Sequence, residues 1–181
     1  PAERSAVRAE LGIDAATPMV VHVARVDPMK DHIGFLDAIE HISGARVLLI
    51  GTGTERYTMP PTVTALGARQ DVPRLLAAAD IIVSSSAYGE GFSNAIAEGM
   101  AAGLVPIATD VGDAAEIVGD CGLTVPPRDP RALAAAMTEL IGLPATERRR
   151  RGEAARARIL ARYSLERAVE RYAALYTAQP D

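Results

Sequence analysis

The chain has 181 residues, a net charge of -4, and a composition that is 49% hydrophobic but only 4% aromatic. A chain of this size can bury a real core as one α/β domain, and its acidic balance excludes a general nucleic-acid partner. Its single cysteine, Cys121, excludes an internal disulfide and fits a reducing, cytoplasmic setting; no signal peptide or membrane-length apolar run is visible, and the opening at Pro1 without Met reads as a piece of a longer protein.

With so few aromatic residues the core must be built from Ala, Val, Leu and Ile, as small-residue helices on a parallel sheet require. In chain order, residues 3–11 suggest a short helix stopped by Gly12, and the continuous apolar run Met19-Val20-Val21-His22-Val23-Ala24 suggests a strand buried on both faces. Arg25 and Lys30 follow that strand, and a helix is expected from about Asp31 to Ile42, burying Ile33, Leu36 and Ile39. Residues 46–50 form a second strand, followed by Gly51-Thr52-Gly53 and a proline-broken stretch with little room for a helix. A weak strand at 63–66 leads through Gly67-Ala68-Arg69-Gln70 to a helix capped by Asp71 and ending near Ala79.

Another strand spans 81–84, and 105–108 and 123–125 provide two more, with a short helix at 113–118 between them. Asp129-Pro130 is a cap followed by proline at the first helical position. That helix runs to Ile141, a second carries seven arginines between Arg148 and Arg162, and Ser164 caps a third with an apolar stripe from Leu165 to Tyr176. Strands and helices alternate, so the expected fold is α/β, a doubly wound, Rossmann-like parallel sheet whose ligands bind beyond the carboxyl ends of its strands. Arg25, Gly51, Ser84 and Thr109 fall at such ends.

The most informative stretch follows the strand at 81–84: Tyr88-Gly89-Glu90-Gly91-Phe92-Ser93-Asn94, then a small-residue helix containing Glu98. Ser93 and Asn94 are good N-cap residues, and the helix start after a glycine loop offers unpaired N–H groups to an anion. Glu90 and Glu98 flank it; carboxylates repel phosphate but accept hydrogen bonds from hydroxyls. A phosphate centre with hydroxyls on both sides describes a nucleotide-diphosphate sugar. Glu90 between two glycines is poorly placed for packing and well placed for a ligand. Glu98 is expected on a buried helix, where a carboxylate needs partners.

At these residues the chain resembles the C-terminal, donor-binding half of the family-four (group 1) retaining glycosyltransferases, whose GT-B architecture sets two Rossmann-like domains face to face. The similarity runs over nearly the whole chain, through Ala24-Arg25 to Lys30, residues 67–73, Ala79-Asp80 to Ser84, Glu90-Gly91-Phe92 to Glu98, Val111-Gly112-Asp113 to Glu116, and Tyr163-Ser164. It implies that residues 1–181 are a donor-binding domain with C-terminal helices from about 145, and that the N-terminal acceptor domain is absent. It further implies that Arg25 and Lys30 meet the donor diphosphate, Glu90 the sugar hydroxyls, and Glu98 the ribose. Gly91, Phe92, Ser93 and Asn94 would lie at the sugar and phosphate, and the backbone near Arg69 would contact the base. Asp113 stands where the family usually has a second glycine, and Gly99 where it has alanine, a change that weakens a helix by roughly 1 kcal/mol.

The function so implied is donor binding for a metal-independent glycosyl transfer. Arg25, Lys30 and Glu90 act at the reacting bond, no cofactor is used, and this chain alone is incomplete for turnover. A non-catalytic nucleotide-sugar binding module, or part of a GT-B-like sugar-nucleotide epimerase or phosphorylase, are the alternatives. Gly51 to Arg56 imitates a dinucleotide fingerprint but lacks its third glycine, no D-x-D is present to bridge a metal, and His22, His32 and His41 lack ligand spacing. His22 reads as a core histidine. Arg148, Arg151, Arg158 and Arg162 fall near one helical face, a candidate contact with anionic lipid at a membrane surface. A solvated face with Glu147 and Glu153 nearby is the favoured reading of them.

Overall fold

The computed structural model describes residues 2–177, so Pro1, at which the sequence opens, lies outside the described residues. In order, the elements are α1 (Ala2–Glu10), β1 (Met19–Val23), α2 (His32–Glu40), β2 (Arg46–Ile50), β3 (Val63–Ala65), α3 (Val72–Ala78), β4 (Ile81–Ser84), α4 (Asn94–Ala101), β5 (Val105–Thr109), α5 (Ala114–Val118), β6 (Leu123–Val125), α6 (Pro130–Gly142), α7 (Ala145–Tyr163) and α8 (Leu165–Thr177). All six strands pair in parallel in the order β3-β2-β1-β4-β5-β6. Chain direction across the sheet reverses between β1 and β4, so the crevice for a ligand opens where the loops after these two strands part.

Each sheet face is covered. On one side Phe35, Ala38 and Ile39 of α2 and Leu133, Met137 and Leu140 of α6 pack on Val20, Leu49, Ile81 and Ile107. On the other, Ile96 and Met100 of α4, Ile117 of α5 and Ala155 of α7 pack on Val21, Leu48, Ile82 and Ala108. Burial on both faces is why β1 and β2 read as unbroken apolar runs.

The helix expected to bury Ile33 presents another face. Ile33 is 75% exposed, whereas His32 and Phe35 are buried. The inward positions 32, 35, 38 and 39 follow the helical period, so Ile39 is buried as expected, but the stripe opens on an imidazole, and the expected Ile33 and Leu36 lie one residue past the inward His32 and Phe35. After Gly53 only a 3-10 turn, Thr54–Arg56, forms. The prolines at 60 and 61 allow no more before β3.

Gly99 corrects an expectation about helix strength. A Cβ built there would lie 2.7 Å from the Ile82 side chain, because α4 lies directly on β4. Gly99→Ala is therefore expected to destabilise the domain by about 1–3 kcal/mol through overpacking, although alanine is the better helix former. Urea unfolding checks it; a more stable alanine variant would mean that α4 has room.

The arginines of α7 also differ from expectation. Arg148 is 6% exposed, and its Nη1 donates to the carbonyls of Ile141 and Leu143 at the end of α6. Arg158 donates to Ile117 and Glu116 at the end of α5, and Arg156 to Ala101 at the end of α4. Arg151 pairs with Glu147, whose carboxyl is held down to about 2 by hydrogen bonds from Arg150 and Arg151. Of the four arginines considered for a lipid contact and read rather as a solvated face, Arg148, Arg151 and Arg158 are thus engaged within the protein, and Arg162 is exposed. The physical reason is that α7 crosses the carboxyl ends of three helices, where unpaired carbonyls and the negative dipole end attract guanidinium groups. Among the described residues, no helix is long and apolar enough to cross a membrane.

Candidate functional site

The carboxyl edge of the sheet gathers three loops. After β1 the chain passes Arg25 and turns through Pro28–Lys30, with the Asp27 side chain accepting from the Met29 N–H at 2.9 Å. Asp31 then takes a left-handed conformation (φ 46°) and caps α2 by accepting from Gly34. After β4 come Ser85, Ser86 and the glycine-flanked Glu90, and after β5 the turn at Gly112. That turn presses on the β4 loop: Gly112 has φ +60°, and a Cβ there would sit 2.2 Å from the Glu90 carbonyl. Only glycine permits both the positive φ and the approach.

Lys30 and Glu90 meet. The lysine Nζ donates to Glu90 Oε1, and the Ser86 hydroxyl donates to the same oxygen at 2.5 Å. Their side chains are 20% and 10% exposed, so the pair is largely withdrawn from water yet open at one side. Arg25 stands outside this pair: its side chain is 65% exposed and lies 3.4 Å from Asp27. Arg25 instead joins Arg69 around a pocket of about 270 Å³ with Val23, Ile50, Gly51 and Val72 in its walls. The Arg69 guanidinium is itself held by two 2.8 Å hydrogen bonds to Asp71. The Asp71 side chain, expected to cap α3, is spent on this bond and caps nothing.

Ser93 is the N-cap of α4 and is buried, but its hydroxyl makes no capping bond. The Ser93 side chain therefore leaves the first-turn N–H groups of α4 uncapped, beside exposed Gly91 and Asn94. Phe92 packs against Tyr163 with ring centroids 5.2 Å apart and the rings tilted by 57°, which ties the site loop to the end of α7. Glu98, expected to be buried, is exposed. The buried stripe of α4 runs through Ile96, Gly99 and Met100, and Glu98 projects between its edges, so no partner inside the protein is required of it.

Asp80, part of the recognised motif, sits at the opposite edge. It accepts from the Met19 N–H at 2.9 Å and from Arg4 at 2.7 Å, locking α1 to the start of β1. Its role is structural. Sequence reasoning missed Ser85, Ser86 and the use of Thr109. The run Ser84-Ser85-Ser86 at the end of a buried strand was the available signal, because a hydroxyl there is buried at the ligand edge and must find a partner. Among the described residues, no three His, Cys, Asp or Glu side chains converge as a metal site would need.

A sheet with this strand order, and with a cation, a carboxylate and an open helix start at its switch point, defines a Rossmann-like domain of the kind that forms half of a GT-B glycosyltransferase. The chain belongs to the family described as glycosyl transferases group 1, whose pattern it matches over residues 17–142. It is 31% identical over 159 residues, covering 78% of this chain and 36% of the relative, to a D-inositol 3-phosphate glycosyltransferase of Mycobacteroides abscessus. It is 28% identical to the GDP-mannose-dependent monoacylated alpha-(1-6)-phosphatidylinositol monomannoside mannosyltransferase of Corynebacterium glutamicum, covering 99% of this chain and 52% of that one. The solved structure of Anabaena Alr3699/HepE in complex with UDP superposes with a TM-score of 0.87 at 25% identity, covering 99% of this chain and 53% of that chain. The chain thus spans about half, or less, of the length of the relatives it matches.

Proposed function

We propose that this domain binds the donor of a retaining, metal-independent glycosyltransferase, a nucleotide-diphosphate sugar. The observation that carries the reading is the meeting of Lys30 and Glu90 at the switch point, beside the open start of α4. A diphosphate at that place would share Lys30 with Glu90, reach Arg25 on the same loop, and take N–H donors from the first turn near Ser93 and Asn94. These fixed positive groups would stabilise the charge growing on the leaving diphosphate without a metal or other cofactor. Glu90 would accept from sugar hydroxyls, with Gly91 and Phe92 shaping the loop beside the sugar. The pocket between Arg25 and Arg69, with apolar walls, suits a heterocyclic base, and exposed Glu98 is available to the ribose. The UDP in the Anabaena structure and the GDP-mannose in the name of the Corynebacterium relative support the ligand class while leaving two bases to compare.

The two carboxylates provide the test. Glu90→Gln is expected to weaken a nucleotide sugar by about 1–2 kcal/mol more than the bare nucleoside diphosphate, since only the former carries the sugar hydroxyls. Glu98→Gln is expected to weaken both alike, because both keep the ribose. Calorimetric titration of each variant with UDP and UDP-glucose, or GDP and GDP-mannose, decides it. Equal losses in all four measurements would remove the assigned roles, and binding that requires added magnesium after EDTA treatment would remove the metal-independent reading.

A further inference from the structure

Resting on that reading of Lys30 and Glu90, we infer that Ser85 and Ser86 are positioning residues for the pair: Ser85, backed by His22, sets the lysine, and Ser86, backed by Thr109, sets the carboxylate.

The connections form two short chains from the sheet to the site. The Ser85 hydroxyl donates to the Lys30 carbonyl at 2.7 Å and lies 3.0 Å from His22 Nε2. A hydroxyl has one proton, and the carbonyl can only accept, so His22 must supply the proton of its own contact. His22 therefore carries a hydrogen on Nε2, and in the neutral ring that is its one hydrogen. Its Nδ1, buried without a partner, is then a bare lone pair and not an orphaned donor. Burial, with the nearby charges of His32 and Lys30 adding to it, pushes the His22 pKa well down and keeps the ring neutral. The imidazole is fixed from behind by stacking on Phe35 at 4.5 Å between centroids. The order reads His22 Nε2–H to Ser85 O–H to the Lys30 carbonyl.

The second chain starts one residue on. Thr109, at the end of β5, donates to the Ser86 carbonyl at 2.6 Å, and the Ser86 hydroxyl donates to Glu90 Oε1. Ser85 and Ser86 are 2% and 1% exposed, so both hydroxyls are committed to these bonds and are not exchanging with solvent. Two adjacent residues just after β4 thus each hold one half of the pair. The lysine is set through its backbone, the glutamate through its carboxylate. That division predicts distinct losses, because moving Lys30 disturbs any diphosphate while moving Glu90 disturbs only a ligand with a sugar.

The test uses the 181-residue chain, titrated with UDP and with UDP-glucose, and its imidazole nitrogen spectrum. Ser85→Ala is expected to weaken both ligands by a similar factor, about tenfold, the scale of one lost buried hydrogen bond to the lysine loop. Ser86→Ala is expected to weaken UDP-glucose about tenfold while leaving UDP within about twofold. His22→Gln, which keeps an N–H near Nε2, should bind as wild type does, whereas His22→Leu should follow Ser85→Ala. Circular dichroism confirms which variants are folded, and Ser85→Cys and Ser86→Cys, which exchange the hydroxyl for a weak donor, stand in for an alanine variant that is not. Wild-type spectra should show the Nε2–H tautomer. Hydroxyl-free variants that fold and bind normally, equal losses of UDP and UDP-glucose in Ser86→Ala, or an Nδ1–H tautomer would each overturn the inference. If wild type binds neither UDP, UDP-glucose, GDP nor GDP-mannose, the donor reading fails by itself, and the tautomer then decides whether the strut exists.

Discussion

Lys30→Ala is expected to destabilise the domain by about 3 kcal/mol, near the low end for breaking a largely buried ion pair, and to abolish most nucleoside-diphosphate affinity. The stability loss follows because the Glu90 side chain, 10% exposed, loses its cation and is left with the Ser86 hydroxyl as its donor. The affinity loss has two parts. One charge-assisted contact to phosphate disappears, worth roughly 1–3 kcal/mol, and an uncompensated carboxylate is left facing the incoming anion. The double variant Lys30→Met, Glu90→Gln separates the two. Replacing both partners by neutral groups of similar size should restore most of the stability, since a buried pair contributes little net, but none of the diphosphate affinity. Denaturant unfolding and calorimetry on the same samples read both quantities. A double variant that regained binding would show that Lys30 holds the fold and does not meet the ligand, and Lys30→Ala with unchanged stability would show that the pair is not formed.

A loss of similar size is expected far from the site. Arg148→Ala should destabilise by about 3 kcal/mol, because buried carbonyls at the end of α6 lose their donor and the guanidinium leaves a void. For a domain of this length that corresponds to a melting temperature lowered by roughly 6–12 °C. Arg150→Ala, on the exposed side of the same helix, should leave the melting temperature where it was. Thermal unfolding of the two variants checks this, and an Arg148→Ala protein that melts like wild type would return Arg148 to the solvated face that the sequence suggested.

The contrast between these arginines shows where sequence reading succeeded and where it could not. Strand positions were legible because a doubly covered parallel sheet demands unbroken apolar runs, and residues 19–23, 46–50 and 81–84 have no other economical reading. Alternation of strand and helix implied the parallel sheet and put Arg25 and Ser84 at its carboxyl edge, whereas the strand order, and with it the switch point between β1 and β4, depends on pairings that alternation does not fix. What did not follow was each polar side chain's partner. Helical spacing put Arg148 and Arg158 on one face, but nothing in one helix reveals that it crosses the ends of three others. Glu98 looked buried because its neighbours are, and the register of α4 on Ile82 turned it outward. Ile33 and His32 exchanged places for the same reason, since a buried imidazole that meets His22 edge-on does not look like core in a hydrophobicity pattern. The hydroxyls of Ser85 and Ser86 were present in the sequence, but their meaning depends on how the chain folds back, to Lys30, 55 positions away, and to Glu90, four positions on in the same loop.

The central claim, that the crevice between β1 and β4 holds a nucleotide-diphosphate sugar, is tested most directly by isothermal titration of the 181-residue chain against UDP-, GDP- and ADP-sugars, repeated on Arg25→Ala. The account predicts saturable one-to-one binding of at least one of these sugars with EDTA present. It also predicts an affinity lowered by about 1–3 kcal/mol in the arginine variant, whose side chain is too exposed to matter for the fold. Absence of binding to all three by a folded chain, or binding that Arg25→Ala leaves untouched, would contradict it.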